Sequence, residues 1–262
     1  MIIVPTLNSK HLLPFLVASL QEQTFPHWRV QFIDGPSHDE HRQWLTMTCN
    51  EDTRFCWEKQ LDIETGIFGA MNQGIKHADQ NSEWILFWGS DDQAASPFVL
   101  KSIADILEEY TANNCLPNLL ICKGRYFRHD DASTARDRLL FGRQTMFIHR
   151  RSFRRSLFLG STPPHQATFF GPGTFARLPE FSTDLRLSAD LDYFLRLSRD
   201  PSIKIRQADQ EVVWIGDGGI SKQKTRRRLK EVNISYRKAF GAQWWIPFCL
   251  RYIQRIQSLF SR

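Results

Sequence analysis

Short apolar runs and amphipathic stretches alternate through the first hundred residues. Ile2-Ile3-Val4 is followed by a turn over Pro5 to Asn8 and a helical pattern from His11 to Gln21. Val30 to Ile33 leads into Asp34-Gly35-Pro36 and a second helix, whose opening carries Ser37 and Glu40 at capping-box spacing. Phe55 to Glu58 predicts a third strand and Ile67 to Ala78 a third helix. Trp84 to Phe87 then predicts a buried strand ending in Gly89-Ser90-Asp91-Asp92. Ser96-Pro97 predicts a fourth helix, with the serine as N-cap and the proline in the first turn. Strands alternating with helices predict an α/β fold, a mainly parallel sheet wound with crossover helices. Ligands of such sheets gather at the carboxyl ends of the strands, which selects Thr6, Asn8, Asp34, Asp62, Glu64, Asp91 and Asp92 for attention.

The second half is less regular. It predicts a strand near Leu119 to Tyr126, a basic loop from Arg125 to Arg143 and a strand at Met146 to His149. A turn at Pro163-Pro164-His165-Gln166 and a helix beginning near Asp190 follow. Past residue 221 the pattern changes to a basic run and then a helical stripe of Trp245, Cys249, Tyr252, Ile256 and Leu259, with Arg251 and Arg255 elsewhere around the helix. The expected organisation is a domain over 1–221, in two halves at 1–100 and 101–221, extended by a basic amphipathic helical tail over 222–262.

Composition narrows the class. At 262 residues, 42% of them hydrophobic and 13% aromatic, the chain can bury a sizeable core, which excludes disorder for most of it. Five scattered cysteines, none spaced as CxxC, suggest neither a zinc ribbon nor a disulfide framework and fit a reducing cytoplasm. No apolar run of membrane-spanning length occurs. The net charge of +6 belongs to the tail, where Glu231 is the only acid from Lys222 onward. Tryptophans beside a basic face suit a helix lying in an anionic membrane interface, and the same stripe also suits packing on the chain's own core or on a second copy.

Two adjacent carboxylates at the mouth of a buried strand repel each other unless a cation or hydrogen-bond donors neutralise them. A hard divalent ion with oxygen ligands is one solution, and a turn or helix cap is another. The Asp34-Gly35 pair by itself is ordinary turn chemistry. Asp190 could cap the helix that follows it, and Asp192 could pair with Arg196 one turn on.

Together, Ile3-Val4-Pro5-Thr6-Leu7-Asn8, Phe32-Ile33-Asp34-Gly35, Thr65-Gly66-Ile67-Phe68-Gly69-Ala70-Met71-Asn72-Gln73-Gly74-Ile75 and Trp84 to Asp92 resemble the ordered motifs of family 2 glycosyltransferases of the GT-A fold. Pro164-His165-Gln166-Ala167-Thr168-Phe169-Phe170, Ala189-Asp190-Leu191-Asp192 and Gly218-Gly219-Ile220-Ser221 are similar to acceptor-side motifs of one bacterial branch of that family. The resemblance spans residues 1 to about 221.

What the resemblance implies is an inverting transfer of a sugar from a UDP- or GDP-linked donor to a hydroxyl of a glycan or lipid-linked acceptor, in assembly of a surface polysaccharide. Pro5, Thr6 and Asn8 would line the base and ribose pocket and Asp34 would hydrogen-bond the base. Glu64, Gly66 and Asn72 would serve the donor side. Asp92, with Asp91, would hold Mn²⁺ or Mg²⁺, and Asp91 would also face the ribose. Asp190 would be the general base, with His165, Gln166, Asp192, Gly218 and Gly219 on the acceptor or phosphate side. The sequence departs from the family pattern at Gly69 and Gly89, where carboxylates are usual, which leaves a non-catalytic nucleotide- or glycan-binding relative as the alternative. The expected setting is the cytoplasm, peripheral at the inner face of the plasma membrane through 222–262. A homodimer is compatible with the sequence, and the ordered acidic motifs argue against nucleic acid as a partner.

Overall fold

The structure is a computed structural model, and it describes residues 1–63, 65–79, 83–127, 144–145, 147–216 and 225–260, with backbone alone from 255 onward. Four parallel strands form the first sheet in the order β3 (Phe55–Lys59), β2 (Val30–Asp34), β1 (Ile2–Thr6) and β4 (Leu86–Phe87). Helices α1 (Leu13–Gln21), α2 (Asp39–Glu51) and α3 (Gly66–Ile75) connect them. A second sheet takes β5 (Gln93–Ala94), β8 (Ile205–Gly216), β6 (Leu119–Phe127) and β7 (Thr168–Phe170) in that order, with β6 and β8 parallel and the outer pairings antiparallel. Backbone hydrogen bonds of 2.9 Å in both directions between Ile85 and Phe170 join the two sheets. The expected α/β architecture is observed, with its antiparallel pairings confined to the second sheet.

Strand periodicity explains why the sheet is covered on both faces. Ile2 and Val4 point to one side and Ile3 to the other, as do Phe32 and Ile33. One face packs with α1 and α4 (Val99–Ala112), through Leu13, Leu16, Val99 and Ile103. The other packs with α3 and with α7 (Ala189–Leu197), where Phe87, Phe170, Phe175, Tyr193 and Phe194 form an aromatic core. Two short helices, α5 (Phe153–Phe158) and α6 (Thr174–Arg177), lie between β6 and α7 in sequence.

The tail is helical, as expected: α8 (Thr225–Phe240) and α9 (Trp245–Phe260). Val232 and Tyr236 of α8 are buried in the same core as Phe194, and Trp244 and Phe248 pack against it. Of the expected stripe, Trp245 and Cys249 are exposed and Tyr252 is half-buried, the side chains of Ile256 and Leu259 lie outside those described, and Ile253, which is not part of it, is exposed. No described helix is long and apolar enough to cross a membrane.

Four local expectations are corrected. Pro5 and Thr6 belong to β1 rather than to a turn. Pro5 directs its carbonyl past the end of short β4, where the Ser90 hydroxyl donates to it at 3.1 Å. The capping box does not form, since α2 starts after His38 with no side-chain cap, Ser37 Oγ donates to Asp34 Oδ1 at 2.6 Å, and Glu40 pairs with Lys10. Ser96 does not cap α4, which begins at Val99, because its hydroxyl accepts from Phe98 N–H at 3.3 Å in the turn ahead of the helix. Residues 147–149 form no strand, and Met146 lies outside the described residues.

Candidate active site

Thr6 and Asp34 are register partners at the carboxyl ends of β1 and β2. Asp34 is buried, and Thr6 Oγ1 (3.0 Å), Ser37 Oγ (2.6 Å) and Arg42 Nε (3.0 Å) all donate to its carboxylate. His41 Nε2 stands 3.1 Å from Asp34 Oδ1. Burial lowers the His41 pKa, and the nearby Arg42 adds to this against the attraction of Asp34. Asn8 is exposed in a left-handed backbone conformation (φ 50°) that asparagine tolerates. Its N–H donates to Ser37 Oγ and its Oδ1 accepts from His38 N, both at 2.9 Å, so the loops after β1 and β2 are tied together.

Ser90 extends this connection to β4, since its hydroxyl meets Ser9 Oγ at 3.0 Å as well as the Pro5 carbonyl. Asp92 is buried, with Gly89 N–H donating to Oδ2 at 2.6 Å and Gly216 N–H to Oδ1 at 3.1 Å. Burial first, and the Asp91 charge second, push the Asp92 carboxyl well above the usual range. Asp91 is half-exposed and packs on two glycines. A Cβ on Gly216 would stand 2.3 Å from Asp91 Oδ2, and one on Gly89 2.7 Å from Asp91 Oδ1. A side chain at position 89 would therefore need the Asp91 carboxylate to move aside.

Two donor-side candidates have other engagements. Asn72 is buried, its amide donating to the Phe181 carbonyl at 2.9 Å and accepting from Phe181 N–H at 2.8 Å. Gly66 opens α3 with φ 82°, and its carbonyl accepts from Gln60 Nε2 at 2.7 Å. Glu64, Gly218 and Gly219 lie outside the described residues.

On the acceptor side, Trp88 Nε1 donates to the Gln166 carbonyl at 2.9 Å, which ties the segment before Gly89 to the 3-10 turn His165–Ala167. His165 Nδ1 lies 3.4 Å from Asp190 Oδ2, with about a fifth of each side chain exposed. Burial pushes the Asp190 carboxyl up, but the His165 bond and charge, the Leu191 amide and the Arg251 charge outweigh it and leave its pKa below the ordinary value. Asp192 instead forms a 2.7 Å pair with Arg196 one turn on. Direct contacts thus run from Asp34 through Thr6, the following loop and Ser90 to the acidic pair, and from Trp88 through the His165 turn to Asp190. Among the described residues, no group of three or more His, Cys, Asp or Glu side chains gathers as a metal cage.

Sequence reasoning missed three participants. Arg42 and His41 close the Asp34 cluster, though a helix starting right after Asp34 was their only signal. Glu231 is buried on α8 and accepts from Leu187 N–H (2.7 Å), Arg186 N–H (3.3 Å) and Arg227 Nε (2.9 Å), fixing the segment that enters α7. Its signal was its isolation, the lone acid in a basic tail.

The parallel sheet of order β3-β2-β1-β4 joined to a smaller mixed sheet is the GT-A fold. The chain belongs to glycosyl transferase family 2, whose family model matches residues 1–171, and it is a glycosyltransferase. It is 28% identical over 222 residues to a PGL/p-HBAD biosynthesis glycosyltransferase of Mycobacterium bovis, an alignment covering 84% of this chain and 78% of that one. An uncharacterized glycosyltransferase of Mycobacterium tuberculosis is also 28% identical, over 164 residues, 63% of this chain and 55% of its own. Among solved structures, S. aureus TarS in complex with UDP-GlcNAc shares the fold at a TM-score of 0.69 and 18% identity, covering 97% of this chain and 72% of that one. The mannosyltransferase PcManGT from Pyrobaculum calidifontis, in complex with GDP-Man and Mn²⁺, superposes at a TM-score of 0.63 with 15% identity, covering 100% of this chain and 75% of its own.

Proposed function

We propose that this chain moves a sugar from a UDP- or GDP-linked donor to a hydroxyl of a glycan or lipid-linked acceptor with inversion, Asp190 acting as general base. The observation that carries the reading is Asp190 itself, half-exposed on the first turn of α7, contacted by His165 and held below the usual carboxylate range. An ionised carboxylate within hydrogen-bond reach of an acceptor hydroxyl takes its proton as the oxygen attacks the anomeric carbon. The nucleoside diphosphate leaves from the opposite side, so no covalent nucleophile is needed.

The acidic pair fits a hard divalent cation, because its donors are carboxylate oxygens and one of them, Asp91, is accessible. Asp91 would hold the ion while Asp92, fixed by two backbone amides, shapes the loop behind it. When bound, Mn²⁺ or Mg²⁺ would stabilise the charge on the leaving diphosphate. Pro5, Thr6 and Asn8 would border the nucleoside, with Asp34 acting through the loops it ties together. The Mn²⁺ in a complex of the same fold supports this assignment.

The exposed Trp245, Cys249 and Ile253 on a basic tail support a peripheral seat on an anionic membrane, where a lipid-linked acceptor presents its reactive end. The test pairs two variants. Asp91→Asn loses Mn²⁺-dependent binding of UDP or GDP in calorimetry. Asp190→Asn keeps that binding and loses transfer by about 100-fold or more. Full turnover by folded Asp190→Asn would remove the base assignment.

A further inference from the structure

Helix α9 docks by a contact that only glycine allows. Gly160 has φ 85°, and a Cβ there would stand 2.6 Å from Arg251 N and 2.9 Å from its Cα. Gln254 Nε2 donates to the Leu159 carbonyl at 2.8 Å, and Arg251 Nη1 donates to Thr162 Oγ1. Arg251 Nε is buried and has no hydrogen-bond partner among the described residues. Thr162 leads through Pro163 and Pro164 to His165, the residue that meets Asp190.

We propose that Arg251 is a positioning residue of the active site, a fixed positive charge that α9 inserts behind the Thr162–His165 segment to orient and support the Asp190 carboxylate. The inference rests on the reading of Asp190 as the base. It makes α9 part of the catalytic unit, whatever its outer face touches.

The electrostatic surroundings agree. Burial opposes ionisation of Asp190, and His165 on the 3-10 turn and Arg251 on α9 favour it. Of the other charges on the neighbouring helices, Asp192 pairs with Arg196 on α7 and Glu231 with Arg227 on α8, while Arg154 on α5 is partly buried near Arg199 and donates to the Ala239 carbonyl. A guanidinium stays charged throughout the accessible pH range, so Arg251 supplies a constant positive charge on this side.

The test is a carbon-13 NMR titration of the Asp190 carboxyl, assigned by the resonance missing from Asp190→Asn, in the full chain. Arg251→Gln and Arg251→Met should raise the Asp190 pKa by about 0.5–1 unit, a three- to tenfold change in its ionisation equilibrium. Arg251→Lys, which keeps the charge, should leave it near the parent value. The acidic limb of the transfer rate should move with the titration, while Mn²⁺-dependent UDP binding does not. An unmoved Asp190 titration in folded Arg251→Gln or Arg251→Met overturns the inference. Should neither fold, the lysine variant decides, a parent-like titration supporting the proposal and a raised one overturning it. The two readings fail separately, since turnover by Asp190→Asn sinks the base assignment, whereas an inactive Asp190→Asn beside an unmoved titration sinks only the role of Arg251.

Discussion

Asp34 and Asp92 are both buried carboxylates at strand ends of the same parallel sheet, yet the chain treats them in opposite ways. Asp34 is met by two hydroxyls, a guanidinium and an imidazole from its own neighbourhood. Asp92 is met by two backbone amides and repelled by the Asp91 beside it, which drives its pKa upward. Amides fix a position without cancelling a charge, whereas Arg42 does both. The contrast separates an acid whose charge is answered by its own neighbours from one that is fixed in place beside a second, more accessible acid.

Replacing Arg42 with Met should break the contrast most severely, because it leaves Asp34 buried with two hydroxyls and the His41 imidazole but without its guanidinium. A loss of about 3 kcal/mol is expected in urea unfolding. Asp92→Asn should cost less, about 2 kcal/mol by the same measurement, since an amide keeps one acceptor but turns an N–H toward the other backbone donor. A stability gain in Asp92→Asn would show that relief from Asp91 outweighs the two amide bonds.

The smallest effect concerns pH. The unfolded chain protonates His41 near pH 6.5, while the folded chain, with a lowered pKa, resists. The unfolded state then binds more protons, so stability falls as pH drops below about 6.5 and levels off once pH passes the folded pKa. His41→Gln should flatten that part of the profile of unfolding midpoint against pH, and an unchanged slope would exclude His41 as its source.

Much of the first sheet was readable from local pattern. Val30–Asp34, Phe55–Lys59 and Gly66–Ile75 fall where hydrophobic periodicity puts them, because each buries a face set by its own sequence. The two capping expectations failed because they depended on which partner a polar group would choose. Ser37 was placed as a cap by spacing, but its hydroxyl goes to Asp34, and the Ser96 hydroxyl goes to Phe98 N–H ahead of its helix. Asp192 followed the local alternative, pairing with Arg196 at helical spacing. Asn72 looked like a ligand group and spends both ends of its amide on Phe181, a contact across 109 residues that no window could reveal. The approach of α9 to the acceptor side was hidden for the same reason, since Arg251 and Thr162 meet across 89 residues.

Glu231 gives the molecule a constraint in time. The backbone amides of Arg186 and Leu187, which lead into the helix bearing Asp190, find their carboxylate on a stretch of chain made some forty residues later. During synthesis the strands of the first sheet all emerge before that carboxylate, so the segment entering the Asp190 helix is the part of the chain that must wait for it.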